Sequence, residues 1–327
     1  MVALSVLELG RVREGSDRRT ALDEARDLGR HAEAHGYRRI WVAEHHNMPT
    51  VTTAATALVI QHIAAATTSI RVGAGGIMLP NHAPYVIAEQ FGTLATLFPG
   101  RIDLGLGRAP GTDQFTLRAL RRDPANADRF PNDVMELQAF LGPVQPGQRI
   151  EAVPGSGTEV PLWILGSSLF GAHLAAELGL PFGFASHFAP AALDRAIAIY
   201  RERFKPSEQL AEPYVLVGAN VIAADTDEEA RYLATSKQMS FTNLIRGARK
   251  LTQPPIDDID NYWSPQEKAH VSEMLACSVI GGPAAVRDGL HALVARTGAD
   301  EVMVVSDLFD PAKRLHSFAL IAEAAQG

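Results

Sequence analysis

One cysteine, Cys277, is all that 327 residues contain. Neither an intramolecular disulfide nor a cysteine-rich zinc cage can be built from it, which suits a reducing compartment. Positive charge is also in deficit: 30 Lys and Arg against 37 Asp and Glu give a formal net charge of −7. That excludes a general nucleic-acid binder while leaving room for a local phosphate pocket. The basic cluster Arg11, Arg13, Arg18 and Arg19 is interleaved with acids and reads as solvated surface. No apolar run approaches the ~18 residues of a membrane span, and MVALSVLELG has neither a basic lead-in nor a cleavage site. The expectation is a cytoplasmic protein whose first residues form a strand. HExxH, His-x-His and Gly-x-Ser-x-Gly are missing too, so no metal and no hydrolase elbow are expected. Without a heptad run, a low-complexity tract or a linker, residues 1–327 read as a single domain.

What is present is alternation. Val-, Ile- and Leu-rich runs at Ala3–Leu7, Arg39–Ala43, Ile70–Gly76, Ile102–Leu106, Pro161–Leu165, Phe182–Ala185, Val215–Ile222 and Glu301–Ser306 are each followed by a helical pattern. Eight strand-then-helix repeats predict an α/β TIM barrel, whose functional groups gather at the C-terminal strand ends. Two stretches break the rhythm. Residues 107–130 are too long and polar for a minimal loop, and about 236–282 reads as an insertion between the seventh and eighth strands. Long loops in compact domains are more often functional than accidental, so both are candidate lids.

Strand ends therefore supply the candidates. WVAEHH places Glu44, His45 and His46 after the second strand; RVGAGGIMLPNHAP puts Gly73, Gly75 and Gly76 inside the third and His82 beyond it. Glycine within a strand marks either a close approach of backbone to ligand or a tight barrel corner, and both readings stand. GRIDLGLGRAPGTD offers Gly105 and Gly107, but Gly111 is one position too late for a dinucleotide fingerprint, which is rejected. Arg108 has the fork geometry for a phosphate, or is an ordinary surface arginine. Gly166, Ser167 and Ser168 open a helix, so they suit a phosphate or a plain N-cap. FGFASHFAP adds His187 at the same mouth. An imidazole there can work as acid or base near neutral pH.

WVAEHH, VGAGGIMLPNHAP, FPGRIDLGLGRAPGTD, ILGSSLFGAHLAAELGLPFGFASHF and DEVMVVSDLFDPAKRLHSFALIAEA, in this order, resemble the bacterial luciferase-like flavin monooxygenases over nearly the whole chain. The resemblance implies a TIM barrel that binds reduced FMN (FMNH2), usually delivered by a separate flavin reductase, and uses O2 on a small organic substrate. Within it His45 matches the catalytic histidine, with Glu44 beside it. Gly75–Gly76 matches a non-proline cis peptide beneath the flavin ring. Arg108, Gly166, Ser167 and Ser168 match the phosphate region, with Gly107 joining the cofactor set. Gly107 stands where light-emitting members carry a reactive cysteine, so neither luminescence nor an aldehyde substrate is expected. The substrate walls are assigned to His46 and His187. Deazaflavin-dependent dehydrogenases share the superfamily, so a deazaflavin is the alternative cofactor, and a non-catalytic flavin-binding protein the alternative to an enzyme. A homodimer is expected through the Ala-rich second and third helices, 52–66 and 84–98.

Overall fold

The computed structural model describes residues 2–109 and 113–326. Nine parallel strands run β1 (Leu4–Glu8), β2 (Arg39–Val42), β3 (Arg71–Met78), β4 (Ile102–Gly107), β5 (Leu162–Gly166), β6 (Phe182–Phe184), β7 (Val215–Ala223), β8 (Ser278–Gly281) and β9 (Glu301–Val305). Helices α1 (Arg18–Ala34), α2 (Thr56–Ala64), α3 (Pro84–Leu97), α4 (Gln114–Ala119) and α5 (Phe130–Leu141) cover the first half. The second half carries α6 (Leu169–Leu178), α7 (Leu193–Arg203), α8 (Asp227–Ile245), α9 (Pro265–Met274), α10 (Pro283–Thr297) and α11 (Pro311–Gln326). Because each strand is walled by helices on one side and packed barrel interior on the other, burial along it is nearly continuous, to nine residues in succession in β7.

Eight strands close a ring in the order β1–β2–β3–β4–β5–β6–β7–β9, sealed by β6 pairing with β7 and β9 with β1. This is the expected TIM barrel with an insertion before its last strand. The insertion differs in detail. α8 runs on to Ile245, past the expected start of the insertion at 236, and β8 inside it pairs with the overhanging end of β7, Asn220–Ala223. Four residues, three of them half-buried, are too short and too wet to write a hydrophobic run into the sequence, so β8 is absent from the eight runs. Of the other interruption, residues 110–112 lie outside the described residues, Gly111 among them.

The floor of the barrel is closed by matched charge. Arg39 donates to Glu301 (2.9 Å) and to Asp103 (2.8 Å), Arg71 reaches Asp103 from the other side, and the Arg39 guanidinium lies 4.6 Å from the Trp163 ring centre. A buried network of paired charges belongs to stability, and the opposite, C-terminal face is left for ligands.

Candidate active site

A cavity of about 670 Å³ opens at the C-terminal ends of the strands. His45, Gly75, Gly76, Gly107, Arg108, Gly166, Ser167, Ser168 and His187, all named from sequence, line it. Glu44 and His46, named with them, are not among its lining residues.

The glycines shape one wall. The Gly75–Gly76 peptide is cis, and the β3–β4 register slips between Gly75 and Ile77. A Cβ on Gly75 would stand 2.8 Å from Leu7 Cδ1 and 2.9 Å from Trp41 Cβ; one on Gly76 would stand 2.6 Å from the Gly105 carbonyl oxygen. Strand-to-strand packing forbids side chains here, as at a tight barrel corner, and the bared backbone lines the cavity.

Across β4 and β5 the wall turns polar. Arg108 is exposed, with its guanidinium carbon 4.0 Å from the Phe170 ring centre, a stacking that fixes the fork while leaving its N–H groups open. Ser168 is the N-cap residue of α6, yet its side chain makes no capping bond. Among the described residues neither Ser167 nor Ser168 has a side-chain hydrogen bond, so the ordinary N-cap reading loses its basis. Free hydroxyls, a helix N-terminus and an unpaired guanidinium are the donor set of a phosphate site. The residues fit a phosphate-bearing flavin or deazaflavin: an anion end at β4–β5 and a side-chain-free shelf at Gly75–Gly76.

The imidazoles divide into two groups. His45 and His187 face the cavity, each with a buried Nδ1 that has no hydrogen-bond partner among the described residues. Burial first, and then the Arg11 charge, lowers the His45 pKa; burial and the Lys237 charge bring His187 down to about 3. Both are therefore neutral at pH 7. His187 packs so tightly on Gly218 that a Cβ there would collide with its ring.

Behind that wall Glu44, fully buried, accepts from His46 Nε2 (2.6 Å) and His82 Nε2 (2.8 Å) on one oxygen and from the Met78 N–H (3.1 Å) on the other. Burial alone would raise this carboxyl; the hydrogen bonds from His46 and His82 hold it at about 2. A carboxylate only accepts, so both imidazoles carry their proton on Nε2. One carboxylate oxygen of Glu44 and one ring nitrogen each of His46 and His82 lie within 4.8 Å of one another, and hydrogen bonding already accounts for that spacing.

Sequence reasoning missed the basic side of the cavity. Arg11, read as solvated surface, lines it instead and donates to Asp307 (2.8 Å). It follows β1 by three residues, so the strand-end rule that found the others would have found it. Lys237, on α8, also lines the cavity and binds Asp307 (2.8 Å). A lysine within a long helix sends no comparable signal.

The profile of the family described as luciferase-like monooxygenase matches residues 2–301. A luciferase-like monooxygenase of Escherichia coli (strain K12) is 50% identical over 326 residues, 99% of this chain and 97% of that protein. The crystal structure of apo-MsnO8 superposes with a TM-score of 0.90 at 34% identity, covering 100% of this chain and 99% of the other. Two more distant structures share the fold. One is the FMN complex of the oxygenating constituent of 3,6-diketocamphane monooxygenase from Pseudomonas putida (TM-score 0.72, 17% identity, 98% and 97% covered). The other is an F420-dependent secondary alcohol dehydrogenase with an F420-acetone adduct (TM-score 0.70, 15% identity, 100% and 99% covered).

Proposed function

Since the chain belongs to the luciferase-like monooxygenases and is an oxidoreductase, we propose that it binds reduced FMN and, with O2, oxygenates a small organic substrate. The observation that carries this reading is a donor set without hydrogen-bond partners among the described residues, Arg108, Ser167 and Ser168, on the rim of a cavity whose neighbouring wall is the bare Gly75–Gly76 backbone. Arg108 and the two serines hold the phosphate, while Gly75, Gly76 and Gly107 leave a flat bed for the ring system. When bound, reduced FMN supplies the two electrons with which one oxygen atom enters the substrate and the other leaves as water.

His45 is the acid–base residue: neutral, facing the cavity, with a ring nitrogen free to take or give a proton. Glu44 is a positioning residue. Through His46, His82 and the Met78 N–H it clamps the end of β2 to the segment after β3, which keeps His45 turned inward. His187 forms the facing substrate wall. A separate reductase supplies the flavin, and a cytoplasmic homodimer is the assembly that goes with this reading. Apolar side chains on the second and third helices support the dimer, since Leu58 is 72% and Leu97 59% exposed. Among the described residues no helix is long and apolar enough to cross a membrane.

Anaerobic titration with reduced FMN and with a reduced deazaflavin tests the reading. Tight, selective binding of FMN followed by oxygen uptake sustains it; selective binding of the deazaflavin moves the protein to hydride transfer without oxygen. In the same assay Arg108→Ala weakens FMN by about 10- to 100-fold, as expected for a lost charged contact. Riboflavin affinity stays unchanged, and an equal loss for both would remove Arg108 from the phosphate.

A further inference from the structure

The cavity has a charge imbalance that the phosphate does not explain. Arg11, Arg108, Lys237, Arg249 and Lys250 line it, and among the described residues no carboxylate does, in a chain whose formal net charge is −7. These cations are not all on one side. Arg108 ends β4, whereas Arg11 follows β1 and Lys237 lies on the helix after β7, against Asp307 after β9. In the ring order, β4 and β5 stand across the barrel from β9 and β1.

On that far wall the charges do not cancel. Arg11, Lys237 and Arg314 converge on Asp307 at 2.8, 2.8 and 3.8 Å, and Arg314 also meets Glu8 at 2.9 Å. Three cations thus face two carboxylates, and two of the three, Arg11 and Lys237, line the cavity. Lys237, the more buried of the two, brings an ammonium to the cavity wall. Its side chain is 5% exposed, and of its three N–H donors Asp307 takes the one that has a partner among the described residues. A buried ammonium with open donors is costly unless an acceptor arrives, and an anionic acceptor gains most. The low pKa values of His45 and His187, set by burial and by the Arg11 and Lys237 charges, register the same positive field. Leu7, Leu216 and Met303 add apolar lining to the same cavity, and the Phe241 ring centre lies 5.4 Å from Lys237 Nζ.

We propose that Lys237, with Arg11, forms an anion subsite opposite the flavin phosphate, and that the oxygenated substrate is a carboxylate with an apolar body. The inference rests on the flavin reading only for the occupant of the other wall.

The test is calorimetric titration of the FMN-loaded protein with hexanoate and with hexanamide, matched in size and differing in charge. Hexanoate binds at least about tenfold more tightly than hexanamide, in keeping with a charged hydrogen bond. Lys237→Met abolishes that preference while leaving FMN affinity within about twofold, because Asp307 keeps Arg11 and Arg314. Equal affinity for the two probes, or a preference that survives Lys237→Met, overturns the proposal. So does a Lys237→Met protein whose main loss is FMN itself, which would make this wall part of the flavin site. If that variant does not fold, Arg11→Gln is read in its place, with a drop in preference of at least about threefold expected and no drop counting against. Should wild-type protein refuse FMN, the flavin reading fails by itself; the hexanoate preference is then measured on the unloaded protein and stands or falls separately.

Discussion

His45 and His46 are neighbours in sequence and opposites in environment. His45 faces the cavity with an unpartnered Nδ1, whereas His46 turns behind the wall and gives its Nε2 proton to Glu44 at 2.6 Å. The same division separates His187, in the cavity, from His82, on Glu44. A buried polar atom without a partner beside a cavity costs stability and marks a candidate functional group; one whose partner is buried beside it holds the scaffold. Four imidazoles at strand ends are thus two pairs with different work.

The largest expected effect exploits that difference directly. His45→Ala lowers product formed per flavin, with a substrate found by screening, by about 10²- to 10⁴-fold. Flavin affinity stays within about threefold and stability within about 1 kcal/mol, since the buried Nδ1 has no hydrogen-bond partner among the described residues. His46→Ala does the reverse, lowering the unfolding midpoint and costing at most about tenfold in turnover. Equal turnover losses in the two variants would erase the distinction.

Glu44→Gln is the next largest, and it acts on stability. The new amide turns an N–H₂ either toward the Met78 N–H or toward the His46 and His82 pair in a buried site, a mismatch that costs about 3 kcal/mol. Urea unfolding at pH 7 reads it. Sign and window follow from the carboxyl at about 2 in the fold against 4.5 when free. Its contribution is whole above pH 4.5 and is lost as pH falls towards 2, so the gap between wild type and Glu44→Gln narrows in acid. A constant gap would mean that the charge of Glu44 is not what matters.

How far the sequence foretold this depends on which rule a residue obeys. The eight-fold alternation and the strand-end rule located His45, Arg108, Ser167, Ser168 and His187, because in a barrel position along a strand determines position in the site. The split at WVAEHH was half legible: period two sets residues 44 and 46 on one side and 45 on the other, but does not say which side is the cavity. Lys237 was not legible. Its role comes from Asp307, seventy positions away and at 2.8 Å only after the ring closes. Arg11 was misjudged because its charge pattern was weighed against its neighbours in sequence and not against the strand it ends. β8 failed for lack of length, being held by the overhang of β7 and not by a hydrophobic run.

The smallest effect concerns the cavity pair alone. His187 has its pKa lowered to about 3, against 6.5 when free, by burial and the Lys237 charge. Between those values the unfolded chain binds a proton that the folded chain refuses, so this group's stabilisation is complete above pH 6.5 and declines as pH falls towards 3. The carboxyl of Glu44 acts only below 4.5, which leaves pH 4.5 to 6.5 as the window in which the two environments separate. There the unfolding free energy of wild type rises with pH more steeply than that of His187→Gln. The difference stays under the one-proton limit of about 1.4 kcal/mol per pH unit, because the cavity admits water to the ring. Glu44→Gln keeps the wild-type slope in this window. Parallel slopes for wild type and His187→Gln would show that His187 can be protonated in the folded protein, and that the basic wall does not reach it.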